Sequence, residues 1–277
     1  MKHAITIMGS AAAEGIPSRF CSCDLCAEAR KRGGKDLRMT AAYSFNDRVR
    51  IDYGPDSYAE EVKLGLNAAT LKHLFFTHEH GDHLDTFAFE MRAPGFAHNF
   101  VVPLNIYGRA TVLERLRRSI PESANQTLVP HLLRLFQPVE LPEEDMTFYP
   151  LTANHYHIPE EAVFFAVRHG EAWILVANDT GIPPEETWQW FERMKIHFDV
   201  VIADSTCGFH DCRDCHMGGK YVLEFHDRLV KLGAVDSKTR YVINHFSHNG
   251  GALHADLEAR FNPLGIEVGF DGMVIPY

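Results

Sequence analysis

At 277 residues with 45% apolar content, the chain is long enough to bury a large core, as one big domain or two small ones. Its formal net charge of −10 disfavours a protein whose main task is gripping a nucleic acid backbone, because that grip draws on clustered Lys and Arg. Small anionic substrates stay open if bound metal ions supply local positive charge. No cationic leader or small-residue cleavage site opens the sequence, and no apolar run approaches the roughly 18 residues that span a membrane. A cytoplasmic protein without a membrane partner is therefore expected. In a reducing compartment, six cysteines at close spacing point to metal ahead of disulfides.

In chain order, His3 to Gly9 reads as a first strand and Ser10 to Pro17 as a small-residue loop. The cluster Cys21-Ser22-Cys23-Asp24-Leu25-Cys26 runs into a helix expected over Asp24 to Arg32, ended by Gly33-Gly34. Thr40 to Asn46 and Arg48 to Asp52 read as strands around an Asn46-Asp47 turn, and Tyr58 to Leu66 as a helix. His73 to Phe76 is a buried strand, Leu84 to Met91 a short helix and Asn105 to Tyr107 a strand. Ala110 to Ser119 is a basic amphipathic helix whose arginines, counted from Arg109, most simply form a solvated face. Strands are expected at Leu132 to Phe136, Met146 to Leu151, Val163 to Arg168 and Trp173 to Ala177. Pro184 to Lys195 follows as a helix with Pro in its first turn. Then come a strand at Val200 to Ala203, a long helix at His216 to Leu232 and a strand at Tyr241 to Asn244. Ala252 to Phe261 is a last helix, and Ile266 to Ile275 a closing pair of strands around Phe270-Asp271-Gly272. Two βα halves meeting near Leu141 to Glu144, within one domain over 1–277, fit this order.

The chemistry concentrates in Thr77 to Asp85, where His78, His80, Asp82 and His83 form His-x-His-x-Asp-His in the loop that ends a buried strand. Neutral imidazole and carboxylate are ligand types that zinc, manganese and iron accept. The segment resembles the signature of the metallo-β-lactamase superfamily, which implies a four-layer αββα sandwich and a metal-dependent hydrolase. Further ligands should lie just past strands, and Asn154-His155, Asn178-Asp179-Thr180-Gly181 and Asn244-His245 occupy such positions in the order the superfamily pattern requires. Carried over residue by residue, His78, His80 and His155 would hold one ion. Asp82, His83 and His245 would hold a second, with Asp179 bridging. Asp52 matches the superfamily's early aspartate, and would accept hydrogen bonds in the metal loop and orient a ligand; plain turn capping is the alternative. Two ions about 3.5–4 Å apart would share a water, lower its pKa and clamp phosphoryl or carbonyl oxygens. His216, outside the ligand set and read as opening a helix, is the candidate general acid, with a solvent-facing histidine as the alternative. Asp82 is counted as catalytic as well as ligating.

The ends of the chain are similar to the phosphoribosyl cyclic phosphate phosphodiesterase of the carbon–phosphorus lyase pathway. The similarity lies in Cys21-x-Cys23-x-x-Cys26, Phe45-Asn46-Asp47, Asn178-Asp179-Thr180-Gly181, Asn244-His245-Phe246-Ser247-His248 and Glu267-Val268-Gly269-Phe270-Asp271-Gly272-Met273. It implies a structural zinc on Cys21, Cys23, Cys26 and His248, where the alternative is unmetallated thiols. It also implies two zinc or manganese ions, or iron, at the catalytic site. A small anionic phosphodiester is the expected partner, nucleic acid is not, and a homodimer is common in that family. Cys207-x4-Cys212-x2-Cys215 has no counterpart in that pattern; a further zinc, a redox-sensitive pair and a loop brace stay open. The rival functions are a tRNA 3′-end endonuclease and, outside hydrolysis, a protein of pyrroloquinoline quinone biosynthesis with similar cysteine spacing.

Overall fold

The computed structural model describes residues 3–155 and 161–277. Its first half runs β1 (Ala4–Gly9), α1 (Asp24–Arg32), β2 (Ala42–Ser44), β3 (Val49–Ile51), α2 (Ser57–Leu64), β4 (His73–Phe75) and α3 (Thr86–Glu90). It continues through β5 (Leu104–Gly108), α4 (Ala110–Ser119), α5 (Glu122–Asn125) and β6 (Leu128–Leu132). The second half holds β7 (Val139–Leu141), β8 (Met146–Thr152), β9 (Val163–His169), β10 (Ala172–Ala177), α6 (Glu185–Met194) and β11 (Val200–Asp204). It ends with α7 (Lys220–Lys231), β12 (Arg240–Asn244), α8 (His254–Phe261), β13 (Ile266–Val268) and β14 (Met273–Pro276).

The strands form two sheets, ordered β14-β1-β2-β3-β4-β5-β6 and β13-β12-β11-β10-β9-β8-β7. In the first, β3 to β6 run parallel; in the second, β10 to β13 do, and the remaining pairings are antiparallel. Alternation along each strand builds the layers, since successive side chains point to opposite faces. Phe75, Val200, Ile202 and Val242 join the core between the sheets. Their neighbours turn outward: Leu74 and Phe76 meet Val112 and Leu116 of α4, while Val201, Tyr241 and Ile243 pack with Trp188, Phe225 and Leu257 from α6, α7 and α8. The result is two mixed sheets flanked by helices, the αββα sandwich expected.

Several elements differ from the sequence reading. The strand expected at 132–136 lies at Leu128–Leu132, because Pro130 is tolerated in this edge strand. The chain therefore passes between sheets at 133–138, ahead of the expected 141–144, and Val139–Leu141 is itself a strand. The closing strands do not pair with each other: β13 sits on β12, and β14 returns to the other sheet beside β1. Periodicity tells which face a strand buries but not which sheet it joins. The helix expected from His216 begins at Lys220. Other boundaries shift by a few residues at most.

Phe75 stacks on Phe148 of the facing sheet at 3.8 Å between ring centroids and on Tyr107 at 4.3 Å. Its truncation in Phe75→Ala should cost about 3–5 kcal/mol, read as a shift in the urea midpoint. A loss below about 1 kcal/mol would show that this pair does not tie the sheets together.

Candidate metal centre

Every candidate ligand lies at the carboxyl end of a strand. Asp52 follows β3, residues 77–83 follow β4, His155 follows β8, and Asp179 and His245 follow β10 and β12. Asp52, Asp179 and His245 have φ of 62°, 50° and 65°, a left-handed backbone that costs non-glycine residues free energy and recurs where function fixes the chain. The metal loop lies on the turn after β3. Tyr53 N donates to His83 O at 2.8 Å, and the Gly54 α-carbon presses so close to Asp82 O that a Cβ there would collide.

Hydrogen bonds set the tautomers. The Thr77 hydroxyl donates to Asp52, 2.9 Å from Oδ2, so the His78 Nδ1–H, 3.0 Å away, donates to Thr77. His83 Nδ1 donates to Asp52 Oδ2 at 2.8 Å. The second half repeats the device: Thr206 Oγ1 donates to Asp204 Oδ2 at 3.0 Å and receives His245 Nδ1 at 2.8 Å. His155 Nδ1 donates to Cys215 O at 2.9 Å. Each of these rings, when neutral, therefore turns an Nε2 lone pair inward, the arrangement in which an outer partner fixes a ligating imidazole.

The inward atoms form two groups. His78 Nε2 and His155 Nε2 lie 2.9 and 3.3 Å from His80 Nδ1. His83 Nε2 lies 3.0 Å from Asp82 Oδ2 and 2.9 Å from Asp179 Oδ2, and His245 Nε2 also lies 2.9 Å from Asp179 Oδ2. The other Asp179 oxygen faces the first group, 3.5 Å from His155 Nε2. Donors bound at 2.0–2.1 Å around a tetrahedral ion stand about 3.4 Å apart, close to these separations.

These residues fit divalent cations. His83 Nε2, His245 Nε2 and Asp179 Oδ2 are buried, in close contact, and without a hydrogen-bond partner. Asp52, Asp179 and Asp204 are buried and Asp82 nearly so, and among the described residues none has a Lys or Arg nitrogen within 4.0 Å. Burial opposes a charge on His83, yet Asp82, Asp179 and Asp52 lift its pKa well above the ordinary imidazole value. Burial likewise opposes the Asp179 charge, but His245, His83 and His155 hold it well below the ordinary carboxylate range. The surplus negative charge takes up protons that a bound cation would displace.

A family model for the β-lactamase superfamily domain matches residues 47–246. The chain belongs to that family. It is thus a metallo-β-lactamase-fold hydrolase with His and Asp groups that could hold metal. A sequence comparison with curated proteins found no match. Among solved structures, a diphosphatase of the PhnP family is 20% identical, with a TM-score of 0.72 over 100% of this chain and 98% of that one. Zinc-bound PqqB from Methylobacterium extorquens is 15% identical, with a TM-score of 0.77 over 98% and 99%. The short form of human tRNase Z is 18% identical, with a TM-score of 0.62 over 98% of each. No helix among the described residues is long and apolar enough to cross a membrane.

Other candidate residues in this superfamily chain fall as follows. Cys21, Cys23, Cys26 and His248 converge, with ligand atoms within 4.8 Å of one another and His248 Nδ1 3.5 Å from Cys23 Sγ. A tetrahedral zinc with Zn–S of 2.3 Å sets S and N about 3.6 Å apart. The Cys26 backbone, then His248, bring the Cys23 thiol down to about 6, whereas burial pushes Cys26 up to about 11. His216 is not at a helix start. It lies in the loop ahead of α7, and Asp204 Oδ2 holds its Nδ1 at 3.0 Å, so a carboxylate rather than a helix terminus orients the ring. Burial would lower the His216 pKa, but Asp204, with Asp179 behind it, raises it to about 9.

Asp204, Thr77 and Thr206 were missed in the sequence. Asp204 was legible as a carboxylate closing the apolar run Val200–Ala203, as Asp52 closes Val49–Ile51; the threonines carried no signal of their own. The basic helix is also only half a solvated face. Arg117 and Arg118 are exposed, but Arg115 donates to Glu79 O of the metal loop and Arg109 donates to Leu133 O at 2.7 Å.

In the metal-free protein the His216 ring should titrate near pH 9, protonated below and neutral above. Asp204→Asn removes the charge that raises it, so the midpoint should move down by at least one unit, towards the ordinary ~6.5. NMR of the ring C–H resonance reads this directly, and an unmoved midpoint would remove Asp204 from that role.

Proposed function

We propose that the chain is a dinuclear metal-dependent phosphodiesterase acting on a small, anionic cyclic phosphodiester of the phosphoribosyl cyclic phosphate type. The observation that carries the reading is the division of the Asp179 carboxylate, with one oxygen against His83 and His245 and the other towards His155. In this proposal His78, His80 and His155 hold one ion, Asp82, His83 and His245 the other, and Asp179 both. The ions are zinc or manganese, with iron also accepted by such donors. When bound, they supply an activated water and draw charge from phosphoryl oxygens. A structural zinc on Cys21, Cys23, Cys26 and His248 belongs to the same proposal, as do a cytoplasmic location and a homodimer.

The chain's own groups then have separate tasks. Asp52 and Thr77 fix the rings of His83 and His78, while Thr206 fixes that of His245. Asp82 adds a carboxylate beside His83 and His245. Asp204 holds His216 by Nδ1 and favours the protonated ring, which offers its Nε2–H to the departing alkoxide. The resemblance of the chain ends to the cyclic phosphodiesterase supports this substrate class, and the net charge of −10 weighs against a tRNA substrate.

A panel of an aryl phosphodiester, ribosyl and 2′,3′-cyclic phosphates, a tRNA precursor and a β-lactam tests the reading. Turnover of the small phosphodiesters alone is expected, falling to background in His78→Ala and Asp179→Ala. His216→Ala should lower turnover of an alkoxide-releasing cyclic substrate by about 10²–10⁴-fold. It should affect the aryl ester far less, because a phenolate of low pKa leaves without a proton. Full phosphodiesterase turnover in His78→Ala and Asp179→Ala would end the proposal.

A further inference from the structure

The segment from Ser205 to Gly219 carries the cysteines that the functional reading leaves unexplained. Cys207 and Cys212 are disulfide-bonded, and Cys215 is free and exposed. The two ends of the segment are laced together around that bond. Cys207 N donates to Met217 O at 3.1 Å, Gly219 N donates to Gly208 O at 2.9 Å, and Cys212 bridges to Gly218. This strap supplies much of what holds the candidate centre in place. Thr206 receives His245 Nδ1, the Cys215 carbonyl receives His155 Nδ1, and His216 is part of the strap itself. Arg213 O accepts from Ile182 N at 2.8 Å and Asp214 Oδ1 from Asn154 Nδ2 at 3.2 Å, which fastens the strap to the loops that carry Asp179 and His155. On its far side Gly208, at a φ of 52°, presses on the Gly250 backbone, and Phe209 N donates to Gly250 O at 3.0 Å. Gly250 stands two residues past His248, so the strap also meets the loop that carries His248.

We propose that the Cys207–Cys212 disulfide positions His155 and His216, and that its two-electron reduction loosens the strap and weakens metal binding at the Asp179 centre. A dithiol is the reductant. Its thiolate attacks one sulfur, the S–S bond breaks through a mixed disulfide, and its second thiol closes a new disulfide in the reductant. Two electrons and two protons end on Cys207 and Cys212. A cross-link over so few residues restrains the unfolded chain less than a longer loop would, so the effect falls on local order around His155. Losing the fixed carbonyl behind a ligating imidazole typically weakens metal affinity by about 10–100-fold. The activity arm rests on the dinuclear phosphodiesterase reading; the metal arm does not.

The test uses the whole chain, purified without reductant. Alkylation in denaturant followed by mass measurement should modify the four free cysteines and, after reduction, all six. Manganese, which thiolates disfavour, is the probe. Its affinity is measured in metal-stripped protein before and after reduction by a phosphine that is then removed, and in the Cys207→Ser/Cys212→Ser double variant. Reduced protein and variant should both bind manganese at least tenfold more weakly than the oxidised protein, and the variant should ignore the phosphine. Aryl phosphodiester kcat should fall with affinity while KM changes less. Six alkylated cysteines without reductant, or manganese affinity within twofold across the three states, would overturn the inference. If the variant does not fold, the reduced wild-type chain decides. A fall in affinity in a protein that hydrolyses no phosphodiester would sustain the inference and refute the functional reading.

Discussion

One buried carboxylate has two faces to satisfy. Asp179 lies against His83 and His245 through one oxygen and towards His155 through the other, with no Lys or Arg near it among the described residues. A carboxylate in that position is costly unless cations or protonated rings surround it. The structure responds with imidazoles from both halves of the sandwich, each turned by an outer partner so that an acceptor nitrogen points inward. Asp52 with Thr77 and Asp204 with Thr206 do the same work from opposite sheets. A single loop could not supply donors from so many directions; two stacked sheets whose parallel strands end along one shared edge can.

The fold earns this convergence from its parallel strands. β3 and β4 in one sheet and β10, β11 and β12 in the other end at the same edge, where a strand terminus is rigid and the next residue is free to leave the ladder. The left-handed backbone at Asp52, Asp179 and His245 is the cost of turning a side chain inward within two residues of the last strand pair. Phe75, stacked between the sheets two residues before Thr77, ties that edge to the core.

Much of this was legible in the sequence, for identifiable reasons. The apolar runs before Thr77, Asn178 and Asn244 announce buried strands, and a polar residue directly after such a run has few structural uses, so the ligands declared themselves by position. The same rule would have found Asp204 after Val200–Ala203 had it been applied there. Sheet membership was not legible: β14 leaves its sequence neighbour β13 for the other sheet, and that choice depends on long-range pairing with β1 rather than on local pattern. The start of α7 was also misplaced. Gly218 and Gly219, poor helix formers, mark the residues ahead of Lys220 as loop; Gly219 takes a φ of 55° and the disulfide loop claims the residues before it. Arginines on α4 read as solvated because sequence cannot show that the metal loop passes beneath Arg115.

Anomalous diffraction from crystals grown with zinc or manganese addresses the centre most directly. Two peaks about 3.5–4 Å apart are expected, one within the His78, His80 and His155 group and one within Asp82, His83 and His245, with an Asp179 oxygen on each. A single peak, or Asp179 turned away from both, would contradict the dinuclear centre.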